Sequence, residues 1–273
     1  MTDEVEGALR RRVLRHEGPD AAWQDEALVV ERPLYFVING EPLMATMRTP
    51  GDDADLVAGY LVTEGVVDDP ARLTILKNIR GPEVDTICVG VLGLDPGALE
   101  RLRRVGASVT SCGVCGREGA AAFTPRARGP LRPLEVPTAQ IPALLDAMGR
   151  RQPLFEATGG LHAAALVDEA LEVVCVKEDI GRHNAIDKAA GWLLRQGMLD
   201  AAPLALISSG RGSFEVVQKA AMAGIGTVIC VSAASSMAVR VAQALGVRLF
   251  GFARGRRAVR YWDPEWGAPE EPV

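Results

Sequence analysis

The sequence predicts an α/β protein, and three observations carry that reading. Over residues 161–252, short β-branched apolar runs alternate with amphipathic stretches of about ten residues, the pattern of βαβ units. Gly65, Gly197 and Gly246 stand just past amphipathic stretches, where a residue in the left-handed conformation stops a helix. Hydrophobic residues make up 48% of the 273 and charged residues 24%, the balance of a globular chain with a sizeable core.

The elements follow in order. After a lead-in that mixes acids and bases, residues 34–39 and 43–48 read as two short strands around Gly40-Glu41-Pro42. Pro50-Gly51-Asp52-Asp53 opens a helix whose Leu56, Val57, Tyr60 and Leu61 keep helical spacing up to Gly65. Residues 84–92 form another β-branched apolar run. Over 106–137 periodicity vanishes while Gly, Pro and Arg accumulate. This reads as a flexible loop (106–136) between an N-terminal α+β portion, 1–105, and a larger α/β domain, 137–273. In the latter, 161–167 and 171–177 read as strands, and a helix runs from about Asn184 to Gly197. Strand 204–208, helix 214–223, strand 227–232, helix 235–245 and a last strand, 247–252, complete a largely parallel sheet.

Composition narrows the function. A formal net charge of −5 and a pI near 5.4 give no footprint of a nucleic-acid binder, which needs clustered excess Lys and Arg. The first residues lack the apolar core of a secretory signal, and no apolar run is long enough to cross a bilayer, so the cytosol is the expected compartment. Five cysteines, an odd number, do not suggest a secreted disulfide framework. Cys88, Cys175 and Cys230 sit within apolar strand-like runs and are expected to pack in the core.

Cys112 and Cys115 are different: they form a CxxC between glycines, inside the segment without periodicity. Two thiols at this spacing can share a disulfide, clamp part of a metal site or pass sulfur as a persulfide. Structural zinc wants four ligands, yet there is no second CxxC and His16, His162 and His183 are scattered. A thioredoxin-like pair sits between a strand and a helix start, which these flanks do not offer. An accessible thiol on a mobile loop suits sulfur relay between two partners.

Three polar segments fall where strands of the larger domain end, which is where open α/β sheets bind ligands. They are 177–184 with Arg182 and His183, 208–213 with Ser209 and Arg211, and 232–236. Helix N-termini there favour anions. Ser and Asn also cap helices without any ligand. Arg182, His183 and Arg211 add charge that capping does not need, and neither of their segments is a Walker A or GxGxxG pattern.

These stretches resemble the formate dehydrogenase accessory sulfurtransferase family, FdhD. The resemblance rests on Met47-Arg48-Thr49-Pro50-Gly51-Asp52-Asp53, Ser111-Cys112-Gly113-Val114-Cys115-Gly116, Thr158-Gly159-Gly160-Leu161-His162, the run from Glu178 through Gly181-Arg182-His183-Asn184 to Asp187-Lys188, and Ser208-Ser209-Gly210-Arg211. It implies a sulfurtransferase that accepts persulfide sulfur from a cysteine desulfurase. The sulfur then passes to the molybdenum (or tungsten) bis-molybdopterin guanine dinucleotide cofactor, held as a bound substrate, for use by formate dehydrogenase. Cys112 would bear the persulfide and Cys115 would be its companion. An alternative is a non-catalytic chaperone that carries the cofactor to its target.

The resemblance also implies a cytidine-deaminase-like larger domain without an intrinsic metal. A zinc deaminase needs His-x-Glu and Pro-Cys-x-x-Cys; this chain has His162-Ala163-Ala164 and Ser208-Ser209-Gly210-Arg211 instead. The third loop departs from the family pattern at Ala234, where a proline is expected. Beyond the last predicted strand runs Phe252-Ala253-Arg254-Gly255-Arg256-Arg257, in a region the resemblance assigns to the cofactor. Its guanidiniums can grip diphosphate oxygens in bidentate fashion. A twofold homodimer is expected to match the two halves of the cofactor.

Overall fold

The structure, a computed structural model, describes residues 6–106, 124–200 and 203–267. Cys112, Cys115 and most of the connecting loop lie outside the described residues.

The lead-in is not featureless. β1 (Ala8–Glu17) and β2 (Asp20–Val29) form a two-stranded antiparallel ribbon. Its apolar and charged residues come in short runs (Arg10-Arg11-Arg12, Ala21-Ala22-Trp23) rather than alternating, so neither strand carries the buried-face pattern that betrays a strand in sequence. A four-stranded sheet follows in the order β4-β3-β6-β5, from β3 (Arg32–Ile38), β4 (Glu41–Arg48), β5 (Leu73–Ile79) and β6 (Asp85–Val91). One face, with Leu34, Phe36, Ile38, Ile87 and Val89, is buried under α1 (Asp53–Thr63). α2 (Pro96–Gly106) flanks β4.

The second half holds a six-stranded sheet in the order β12-β11-β10-β9-β7-β8. Its strands are β7 (His162–Val167), β8 (Val173–Asp179), β9 (Ala205–Ser208), β10 (Thr227–Cys230), β11 (Arg248–Arg254) and β12 (Arg257–Trp262). Only β9, β10 and β11 run parallel; β7, β8 and β12 are antiparallel to their neighbours. The expected largely parallel sheet is thus corrected. Short turns, which permit antiparallel pairing alone, join β7 to β8 and β11 to β12. Strand 247–252 is likewise not the last, because Gly255 turns the chain back into β12. α3 (Ile141–Gly149) covers one face of this sheet over Val136, Ala165, Ile207 and Phe250, and α4 (Pro153–Thr158) precedes β7.

The other face packs on α5 (Arg182–Arg195), α6 (Phe214–Met222) and α7 (Ser236–Leu245). A single apolar core runs from the four-stranded sheet through α1 and α5 to the six-stranded one. α1 and α5 cross at glycines. A Cβ on Gly59 would lie 1.6 Å from the Asp187 carbonyl oxygen, and one on Gly191 would lie 1.8 Å from that of Asp55. Among the described residues no helix is long and apolar enough to cross a membrane.

Cys175 and Cys230 are buried, and desolvation pushes each thiol up to about 12. Cys88 departs from expectation. It is only partly buried, because β6 alternates and Cys88 points away from α1.

Candidate functional site

Strand directions gather the predicted residues on one edge of the six-stranded sheet. The parallel strands β9, β10 and β11 all end there. Antiparallel pairing adds the start of β7 and the end of β8, since His162 pairs with Asp179 and Ala164 with Ser208. Arg182, His183, Ser209, Arg211 and the 252–257 run therefore share this edge.

In the first segment, Lys177, Glu178 and Asp179 are committed to structure. Lys177 pairs with Asp52 and Asp55 at 2.7 Å each. Glu178 accepts the Leu154 and Phe155 N–H groups at the start of α4. Burial raises its carboxyl above the usual range against those hydrogen bonds. Asp179 is fully buried and accepts from Gly181 N–H (2.8 Å), Asn184 Nδ2 (3.0 Å), Thr49 N–H (3.2 Å) and Lys188 Nζ (2.8 Å). Lys188 and Asn184 also donate to the Thr49 and Met47 carbonyls.

α5 begins at Arg182, two residues before the expected start, so Arg182 and His183 lie in its first turn rather than in the loop. The Arg182 stem crosses Gly210, where a Cβ would sit 3.0 Å from Arg182 Cδ. Arg182 Nε is buried with no hydrogen-bond partner among the described residues. His183 Nε2 lies 3.0 Å from Glu215 Oε2, near enough for an ion pair but outside hydrogen-bond alignment.

The second segment connects β9 to α6. Ser209 Oγ accepts the Ala163 N–H at 2.9 Å and lies 3.1 Å from His162 Nδ1. Burial, and then the neighbouring Arg182, lower the His162 pKa below the usual imidazole value. Arg211 is exposed. Ser213 stands at the N-cap of α6, yet its hydroxyl makes no cap hydrogen bond and is buried with no partner among the described residues. α5, whose N-cap is Gly181, has no side-chain cap either.

The third segment contrasts with both. Ser235 caps α7 by accepting the Ala238 N–H at 3.2 Å, and backbone bonds tie Gly212 to Ala233 and Ser235. The Ser235 hydroxyl is thereby used.

The 252–257 run is the tip of the β11–β12 hairpin, not a tail beyond the last strand, with Arg254 opposite Arg257. Gly251 is required there, because a Cβ would meet the Tyr261 ring at 2.8 Å and the Ser232 carbonyl at 2.9 Å. Phe252 adopts φ 49°, in the left-handed region, and donates its N–H to Ser232 O. Ala253 is fully buried in the core. Arg254 Nε donates to Val231 O at 3.0 Å, and Arg257 sits 5.5 Å over the Phe252 ring. Gly255 and Arg256 are exposed at the turn. β11 is two strands from β9, about 10 Å at the usual strand spacing.

His162, Ser213 and Glu215 join this edge without having been singled out as binding residues by sequence. For Ser213 a signal existed, since it precedes the predicted helix 214–223. Glu215 had none, because its pairing with His183 comes from two helices brought side by side. A separate pocket of about 340 Å³ lies against the N-terminal half, lined by Glu6, Gly51, Asp52, Asp53, Asn78, Arg80 and Asp85. Its acidic wall disfavours phosphate.

What the edge offers is a polar surface of hydrogen-bond donors and cations at two uncapped helix N-termini, suited to an anionic ligand. Comparison with known proteins identifies the family. A relative from Streptomyces avermitilis, called sulfur carrier protein FdhD, is 41% identical over 255 residues, covering 90% of each chain. A second so named, from Anaeromyxobacter dehalogenans, is 43% identical over 95% of this chain and 93% of its own. A third, from Mycobacterium tuberculosis, is 39% identical over 91% and 94%. A solved structure from Desulfotalea psychrophila, described as a candidate formate dehydrogenase accessory protein, superposes with a TM-score of 0.71. It is 22% identical, over 94% of this chain and 98% of that one, and so speaks to the fold. The family model described as FdhD/NarQ matches residues 29–266, and with these relatives it shows that the chain belongs to the FdhD/NarQ family.

Proposed function

We propose that this chain is a sulfur carrier for formate dehydrogenase maturation. It accepts persulfide sulfur from a cysteine desulfurase and passes it to the guanine-dinucleotide molybdenum (or tungsten) cofactor. The sulfur chemistry is argued from family membership and from the CxxC. The Cys112 thiolate attacks the outer sulfur of the desulfurase persulfide, the donor S–S bond breaks, and the donor leaves as a thiolate. Cys112 then holds the new S–S bond, and Cys115 is its companion.

The observation that carries cofactor binding is the pair of uncapped helix N-termini on one sheet edge. Among the described residues Arg182 Nε and Ser213 Oγ are buried there without partners, and His183 Nε2 is unaligned with Glu215. Buried donors left unsatisfied cost stability, which a bound diphosphate would return. Ser209 and Arg211 flank this position, and the hairpin tip with Arg254, Arg256 and Arg257 stands at the same sheet edge, two strands from β9. The six-stranded sheet, a β7–β8 hairpin beside three parallel strands, supports the reading as a cytidine-deaminase-like domain that lacks deaminase groups. The division at 106–136, a twofold homodimer and a cytosolic location belong to the same proposal.

Incubation with a desulfurase and sulfur-labelled cysteine tests it. Label should appear on Cys112 as a persulfide, and Cys112→Ser should abolish both labelling and activation of formate dehydrogenase. Cys115→Ser should do less harm. A protein that activates the dehydrogenase without acquiring label would instead be a cofactor chaperone.

A further inference from the structure

The stretch Met47-Arg48-Thr49-Pro50-Gly51-Asp52-Asp53 has no part in the chemistry above, yet its Arg48 and Thr49 are fully buried and hydrogen-bonded. Arg48 is fully buried. Its guanidinium is bidentate on Asp53 at 2.8 and 2.9 Å and reaches Asp85 at 2.7 Å, and Arg32 closes on the same Asp85 at 3.0 Å. This fixes the end of β4 against the start of α1 and against β6.

Thr49 comes next and is also fully buried. Its N–H, carbonyl and hydroxyl all meet the segment that runs from the end of β8 into α5. Its N–H donates to Asp179, its carbonyl accepts from Lys188 Nζ at 3.0 Å, and its hydroxyl accepts the Ile180 N–H at 3.2 Å. Asp179 in turn gathers the Gly181 N–H and the Asn184 amide, and Asn184 returns to the Met47 carbonyl at 2.7 Å. The two residues that follow Ile180 and Gly181 are Arg182 and His183. Hydrogen bonds at Asp179, Ile180 and Gly181 before them and at Asn184 after them hold the backbone on both sides of Arg182 and His183 at the start of α5.

We propose that Thr49 is a positioning residue for the anion-binding edge: through Asp179 and Ile180 it sets where the first turn of α5 presents Arg182 and His183 to the ligand. The N-terminal half is then part of the binding apparatus without touching the ligand. This rests on the ligand reading above, and it gives that reading a residue outside the six-stranded sheet. A ligand gripped by preset donors avoids the cost of ordering them on binding.

Thr49→Val keeps the shape and the backbone bonds and removes only the hydroxyl; Thr49→Ser restores it. GDP is the probe, with affinity read by calorimetry and the fold checked by circular dichroism. Thr49→Val should weaken GDP binding about tenfold, the low end of what losing a supporting hydrogen bond costs at metal sites. Thr49→Ser should bind within about twofold of wild type. The decisive measurement is the double variant with His183→Ala. If Thr49 acts through the first turn of α5, the combined loss is smaller than the product of the two single losses. Equal product, or Thr49→Val at wild-type affinity, would overturn the inference while leaving the ligand reading intact. Wild-type protein that does not bind GDP would overturn both.

Discussion

Replacing Gly59 by alanine tests how the two halves are joined. The new Cβ would lie 1.6 Å from the Asp187 carbonyl oxygen and 2.7 Å from the Gly191 nitrogen, both backbone atoms of α5 that cannot rotate away. Ordinary contact needs roughly twice that first distance, so α1 and α5 must part by about 1.5 Å. A gap of even 1 Å forfeits up to about half of each dispersion contact, and α1 buries Leu56, Val57, Leu61 and Val62 in the shared core. Overpacking costs about 1–3 kcal/mol where side chains can adjust, and more against backbone. Alanine's better helix propensity offsets about 1 kcal/mol. A net loss of at least about 2 kcal/mol is expected, which lowers Tm by at least about 4–8 °C for a chain of this size. Gly149→Ala, at the end of α3 with nothing within 4 Å of the added carbon, is the control and should leave Tm unchanged or slightly raised. The assay is scanning calorimetry of both variants beside wild type. A Gly59→Ala protein melting within about 1 °C of wild type would refute the close crossing of α1 on α5.

Two further outcomes are expected. Arg254→Ala and Arg257→Ala should each weaken GDP binding by about 1–3 kcal/mol, the scale of a lost charge-assisted bond; unchanged affinity in the double variant, measured by calorimetry, would assign the hairpin tip to the solvated surface. Cys175 and Cys230, with thiols pushed up to about 12 by burial, should resist iodoacetamide at pH 8 in the folded protein and react in denaturant; mass spectrometry locates the adducts, and native labelling of either thiol would contradict their burial.

Much of the fold was legible because it is local. The alternation of apolar runs from Leu161 onward sets β7, β9, α6, β10 and α7 nearly in place, since strand and helix periods are properties of adjacent residues. Helix-stopping glycines gave the ends of α1, α5 and α7. The β1–β2 ribbon, α3 and the return strand β12 were not legible. The ribbon buries no continuous face, and β12 exists only because Gly255 turns the chain onto β11. The direction of pairing was hidden for the same reason: an apolar run does not say which neighbour it will meet.

At the site, residue types alone marked Arg182, His183, Ser209, Arg211 and the arginines of 252–257 as suited to an anion, and the CxxC as suited to sulfur. Which polar groups remain for a ligand was settled only in three dimensions. Ser235 and Ser213 precede helices in the same way in sequence, yet one hydroxyl caps its helix and the other is buried with no partner among the described residues. Glu178, Asp179 and Lys188 look as available as Arg182, yet their charges hold α4, Thr49 and the start of α5 in place. A side chain's chemistry is fixed by its covalent structure. Whether that chemistry is spent or free depends on partners that for Asp179 and Lys188 lie more than a hundred residues away, and only the folded chain brings them within reach.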